Sequence, residues 1–324
     1  MKQGLDVLAV GELLIDFTEA GKSAEGMRLF EQNPGGAPAN LLTAVTHMGH
    51  SAGLIGKIGA DMHGDFLKEV LQREKIVTDY LRQDPEVFTT LAFVALNEEG
   101  EREFSFARKP GADTCLRTEE LPAEALADCR IFHFGSLSLT DEPARTATAE
   151  ALRMAKEGGA LISFDPNYRA SLWRSPQEAA EAIRARIPQA DLMKVSDEES
   201  LLLTGASDYE TAARQILSMG PRLVAVTLGA GGALLVTGEI CLTVPGYPAQ
   251  VADTTGAGDS FWGGFLSAFL ETGKTLQELN RADCLTCVQT GNAVASLCVR
   301  KRGGIPAIPD RTEVENLLKQ ETVE

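Results

Sequence analysis

The chain predicts an α/β fold, with a mostly parallel central sheet covered by helices and a small separate β-sheet acting as a lid. Three observations predict it. Short apolar runs alternate with amphipathic helical stretches over most of the 324 residues, the order that builds parallel sheets. Two segments, 12–33 and 88–109, break that rhythm with short β-like runs and turn residues. No internal repeat, low-complexity tract or linker divides what remains, so 1–11, 34–87 and 110–324 are expected to form one main domain.

Taken in order, Leu5–Val10 reads as a buried strand ending at Gly11. Ala39–Met48 has helical apolar spacing and follows Pro34-Gly35-Gly36-Ala37-Pro38. Ala52–Ile58 is a strand ending in Gly59, and Asp65–Arg73 an amphipathic helix. Phe88–Leu96 and Arg102–Arg108 alternate around Asn97-Glu98-Glu99-Gly100, a hairpin signal. The alternation then resumes with strands at Ile131–Phe134, Ala160–Phe164, Leu192–Val195 and Leu223–Thr227, and helices at Glu142–Glu157, Pro176–Arg186 and Tyr209–Met219. An acidic helix start, Asp197-Glu198-Glu199, follows the third of these strands.

Composition narrows the function. An apolar content of 44% supports a sizeable core without staples. No apolar stretch approaches the roughly 20 residues that span a bilayer, and Asp6, Glu12 and Asp16 interrupt the N-terminal apolar segment, which is not expected to be a signal peptide. A formal net charge of −16 repels polyanions, so neither nucleic acid nor an anionic membrane is expected as a partner. Six scattered cysteines fit reduced thiols and a cytoplasmic protein. Cys284 and Cys287 form a C-x-x-C within a helical stretch that has no second ligand pair, and His47 and His50 have helix-end spacing; neither pair predicts a metal.

The segment with the most chemistry is Asp253-Thr254-Thr255-Gly256-Ala257-Gly258-Asp259-Ser260-Phe261, followed by an apolar helical run to Leu270. A helix opening after Gly256 and Gly258 presents unpaired N–H groups, a ready anion site. Asp259 falls in its first turn, where a carboxylate is also favoured by the helix dipole. A carboxylate beside an anion-holding amide cluster can deprotonate a hydroxyl while the amides hold the transferred group. No Gly-Lys-Ser/Thr follows the glycines, so this is not a Walker A loop.

Asp253–Leu266 resembles the C-terminal signature of the ribokinase-like, or PfkB, carbohydrate kinases. Gly35-Gly36-Ala37-Pro38-Ala39-Asn40, with Gly49, Gly59 and Gly64 following, resembles the second signature. The resemblance implies a ribokinase-like three-layer αβα domain with a lid, and transfer of a phosphoryl group from ATP, with Mg2+, to a sugar hydroxyl. It implies that Asp259 is the general base and that Gly256, Ala257 and Gly258 form the anion hole. Asp16 would bind sugar hydroxyls from the end of the first strand, with Gly35, Gly36 and Asn40 completing the pocket. The family's Asn-x-x-Glu motif stands here as Ser196-Asp197-Glu198-Glu199, with serine in place of asparagine; Ser196 and Glu199 would lie near magnesium and the phosphates, Glu199 acting through water. Acidic capping of a helix accounts for the same residues. Thr227, Gly229 and Gly232 resemble the nucleotide loop, and Asn292 is expected at the adenine. Asp253 and Thr255 match a monovalent-cation position, with carbonyls from Gly303 and Gly304, so K+ activation is expected.

For the acceptor, Arg108-Lys109-Pro110-Gly111-Ala112-Asp113, Asp165-Pro166-Asn167-Tyr168-Arg169 and Lys194-Val195-Ser196 look most like fructokinases. Fructose, at its 6-hydroxyl, is the expected acceptor, with Arg108 and Arg169 at the sugar or phosphate; surface salt bridging is their plainer alternative. A 2-keto-3-deoxygluconate kinase, where an arginine would pair the acid group, remains the second reading; ribose, a nucleoside and aminoimidazole riboside stay open. A phosphorylated acceptor would call on Arg28, Arg102 and Arg108. A sugar sensor without catalysis would be expected to lack Asp259, which is present. Unpaired lid edges invite association, so a homodimer through the lid is expected.

Overall fold

The computed structural model describes residues 4–96 and 102–321; the predicted turn at Asn97–Gly100 lies outside them. The chain opens with β1 (Val7–Val10), β2 (Leu14–Lys22), β3 (Arg28–Gly35), α1 (Ala37–His47), β4 (Ala52–Gly59) and α2 (Met62–Arg73). There follow β5 (Ile76–Val77), β6 (Leu81–Asp84), β7 (Leu91–Leu96), β8 (Arg102–Ala107), α3 (Ala123–Asp128), β9 (Ile131–Phe134), α4 (Ala144–Glu157), β10 (Leu161–Phe164) and α5 (Pro176–Arg184). The remainder comprises β11 (Leu192–Ser196), α6 (Asp197–Thr204), α7 (Tyr209–Ser218), β12 (Leu223–Thr227), β13 (Ala233–Thr237), β14 (Cys241–Val244), α8 (Ala257–Thr272), α9 (Arg281–Cys298) and α10 (Arg311–Glu321).

Among the described residues the main sheet runs β14-β13-β12-β11-β10-β9-β1-β4-β5, with β6 also on β4. Its strands are parallel except at the β12–β13–β14 edge, where both pairings are antiparallel. Every residue of β1, β4 and β9 is buried, as expected of strands covered on both faces. One apolar layer packs α1, α2, α8 and α9 on the sheet; the other packs α3 to α7 on the opposite face. The αβα sandwich is thus two cores separated by a sheet. Local signals set the helix starts: Asp61, Ser175, Ser196, Asp208 and Asn280 each accept from a first-turn amide, capping orphan donors.

The second sheet is ordered β3-β2-β7-β8. β2 pairs antiparallel with β3 and parallel with β7, and β7 pairs antiparallel with β8. Strand alternation gives it two unlike faces. Asp16, Thr18, Val94 and Phe106 look onto the cavity beneath, whereas Phe17 stacks on Phe93 at 5.3 Å on the other face.

Candidate active site

The carboxyl ends of the parallel strands converge on one cleft of about 760 Å3, the usual ligand position in open α/β sheets. Its floor is the start of α8. This helix is anchored by Phe261, Trp262 and Phe265, all at most 2% exposed. Each aromatic contributes roughly 1.5–3 kcal/mol of burial. Gly256 caps the helix with φ 75°, a left-handed conformation that favours glycine. The first intrahelical bond runs from Ser260 N–H to Gly256 carbonyl, and Ala257 N–H turns to Thr254 carbonyl at 3.3 Å. The amides of Gly258 and Asp259 therefore precede any helical acceptor, and they, more than that of Ala257, are placed to hold an anion.

Asp259 is 6% exposed and held on both sides. Asn40 Nδ2 donates to Oδ2 at 2.9 Å, and Asn167 Nδ2 donates to Oδ1 at 2.5 Å. Burial raises the carboxyl above its ordinary range; the Asn40 amide, the charges of Lys194 and Arg169, and the Asn167 amide pull it back. A base of this kind acts ionised, so activity falls as pH drops through its raised value. Beside it Lys194 pairs with Asp165 at 3.0 Å. Burial would discharge Lys194, but Asp165, Glu199 and Asp259 together hold it above its usual value and protonated.

Glu199 is buried with both oxygens engaged: Ser196 N–H donates to Oε2 at 2.8 Å and Tyr168 N–H to Oε1 at 2.6 Å. Ser196 Oγ in turn accepts from Glu199 N–H, a capping box. With its carboxylate so occupied, Glu199 fits a hydrated cation better than a directly bound one, and Asp197 and Glu198 line the cleft at its exposed side. Asp253 ties two loops together, accepting from Thr255 N–H and Oγ1 at 2.8 Å and from Gly303 N–H at 3.0 Å. That brings the backbone of 253–255 and 303–304 side by side.

The structure brings most of the expected residues together. Asp16, Gly36, Asn40, Arg169, Ser196, Glu199, Thr227, Gly229, Thr255, Gly256, Ala257, Gly258 and Asp259 all line the cleft. Gly35 packs behind Asp16, where a Cβ would collide with its carboxylate. Several expectations need correction. Asp16 lies within strand β2 of the smaller sheet, not at the end of β1. Arg108 does not line the cleft: it is 7% exposed and committed to Asp113, Thr140 Oγ1 and Leu137 carbonyl, because at the end of β8 it closes the base of the lid. Arg28 faces Glu19 at 3.8 Å on the lid; the Arg102 side chain is outside the described set. Asn292 donates to the carbonyls of Val244 and Pro245, and Gly232 packs against the same segment; neither lines the cleft.

Four residues with evident roles were not singled out as site residues from sequence. Asn167 was readable only as part of Asp165-Pro166-Asn167. Lys194 and its partner Asp165 could have been found from a lysine inside an apolar strand. Glu12 follows β1 and accepts from Ala37 N–H at 2.7 Å; burial pushes its carboxyl up to about 7.

Comparison with known proteins adds a frame. The pfkB family carbohydrate kinase pattern matches residues 5–311. The chain is 40% identical over 317 residues, 97% of its length and 95% of the other's, to a probable fructokinase-2 of Arabidopsis thaliana. A fructokinase from Xylella fastidiosa with bound ATP superposes with a TM-score of 0.89 at 33% identity, covering 99% of this chain and 100% of that one. A Vibrio cholerae fructokinase double mutant with fructose, ADP and potassium bound gives 0.86 at 31% identity, over 97% and 99%.

Proposed function

The chain belongs to the pfkB family of carbohydrate kinases, and we propose that it phosphorylates D-fructose from ATP, at the 6-hydroxyl, with Asp259 as general base. The observation that carries this reading is a buried carboxylate, fixed through both oxygens by Asn40 and Asn167, at the unpaired amides that open α8. The acceptor hydroxyl gives its proton to Asp259. The Gly258 and Asp259 amides hold the transferred group as charge develops on it. Asp16 on the lid and Gly36 and Asn40 below it face the sugar, and Thr227 and Gly229 at the end of β12 face the nucleotide. A magnesium ion carried on the phosphates would supply charge neutralisation, with Glu199 and Ser196 orienting its water. The Asp253–Thr255 loops would take K+, the ion found with the Vibrio fructokinase.

Closure of the β3-β2-β7-β8 sheet over the sugar excludes water from the transfer. The outer face of this sheet leaves Phe30 and Phe93 at 37% and 38% exposed, which supports a homodimer through the lid. Six cysteines, none in a disulfide, fit a reducing, cytoplasmic setting, and among the described residues no helix is long and apolar enough to cross a membrane.

An acidic acceptor such as 2-keto-3-deoxygluconate calls for an arginine at the sugar; Arg108 is already paired with Asp113, which leaves Arg169 in the cleft for that role. The test is ADP release with Mg-ATP and fructose, 2-keto-3-deoxygluconate, ribose, glucose or a nucleoside. Selective turnover of fructose is expected; selective turnover of another sugar keeps the mechanism and replaces the acceptor.

A further inference from the structure

Lys194 stands in the middle of β11 between Met193 and Val195, both fully buried, and its own side chain is 6% exposed. A lysine there bears a desolvation cost that an apolar residue would avoid. Strand register identifies its partner. Ser163 pairs with Leu192 and Phe164 with Met193 between β10 and β11, so Asp165, one residue beyond β10, falls beside Lys194. The ammonium also reaches the opening of α8: a Cβ built on Gly258 would stand 2.8 Å from Nζ. It lines the same cleft as Asp259.

The surroundings of Asp259 leave a specific task for that charge. Its two oxygens already hold one amide donor each, from Asn40 on α1 and Asn167 after β10. The charged and titratable groups facing it are Lys194 of β11, Arg169 after β10, Asp165 at the end of β10 and the Cys298 thiol of α9. Lys194 is itself faced by Asp165, by Glu199 of α6 and by His133 of β9, a neutral imidazole. Of the two cations, Arg169 is exposed and Lys194 buried, so Lys194 is the one that solvent and salt screen least.

Resting on the reading of Asp259 as the base, we propose that Lys194 is its positioning residue. The Lys194–Asp165 pair beneath the start of α8 supplies the fixed positive charge that keeps the carboxylate ionised and directed at the acceptor hydroxyl. This is a role beyond filling space, and it leaves a signature that simple structural support would not.

The experiment is the pH profile of kcat/KM for fructose. Lys194→Gln is expected to move the acid limb upward by about one pH unit, a roughly tenfold loss on that limb with recovery at alkaline pH. Lys194→Arg retains the charge and returns the limb to its wild-type position. Because removing one partner of a buried pair can unfold a protein, the double variant Lys194→Met/Asp165→Asn provides a background with no unpaired buried charge. Its limb moves in the same direction by less, because the opposing charge of Asp165 is lost as well while the ammonium is the group that reaches Gly258 beside Asp259. A pH-independent loss, with the limb unmoved in Lys194→Gln or in the double variant, overturns the proposal. Asp259→Asn is run alongside: full turnover in that variant sinks the base assignment itself, a different failure from an unmoved limb.

Discussion

The floor of the cleft and the sheet above it are built on opposite principles. The floor is the start of α8, whose residues Asp259 to Leu270 are all buried, with its functional carboxylate fixed by two asparagines. The upper sheet carries its functional face on strands half in solvent: along β2, burial gives way to exposure from Leu14 to Lys22. Positioned chemistry belongs on an element that cannot move; the closing surface we propose belongs on one anchored at its root. That root is the buried cluster in which Arg108 after β8 and Thr90 before β7 both bond Asp113.

Variants at the floor and at the root separate these two roles. The largest effect is expected from Asp259→Asn, which should keep fructose binding by calorimetry and lose turnover by about two to four powers of ten. At the lid root, Arg108→Ala leaves Asp113 as an uncompensated buried charge. Unfolding in denaturant should show a loss of roughly 3–5 kcal/mol, and a loss well under 1 kcal/mol would mean the root is not the anchor described. Asn167→Ala frees one oxygen of Asp259; steady-state kinetics should show kcat lower by about tenfold to a hundredfold through misorientation, with KM for ATP little changed. The smallest kinetic effect is expected on the outer lid face, where Phe93→Glu should convert the proposed dimer to a monomer in sedimentation while leaving kcat within roughly threefold, as for a substitution remote from the chemistry.

Much of this architecture was legible because the signals are local. The alternation of apolar runs and amphipathic helices gave the layers, and the glycines around Ala257 gave the floor. The antiparallel edge of β13 and β14 was missed: strands of five and four residues are too short for a clear alternation, and no element was assigned between Gly232 and Asp253. Side-chain direction was harder still. Arg108 carries the same charge whether it faces a sugar or Asp113, and only the fold, by burying it at the lid root, decides. Asn292 was expected at the adenine from the family resemblance, yet its amide is used to hold the chain after β14. Lys194 and Asp165 are 29 positions apart in sequence and become partners only through the β10–β11 register.

The division of labour between floor and lid is tested most directly by the rate of ADP release with Mg-ATP, measured with saturating fructose and again with no sugar. The sugar-free rate is expected to fall far below the kinase rate, because without fructose the lid stays open and water is not positioned at Asp259. Equal rates in the two conditions would contradict the account, since the cleft would then activate water as readily as a sugar hydroxyl.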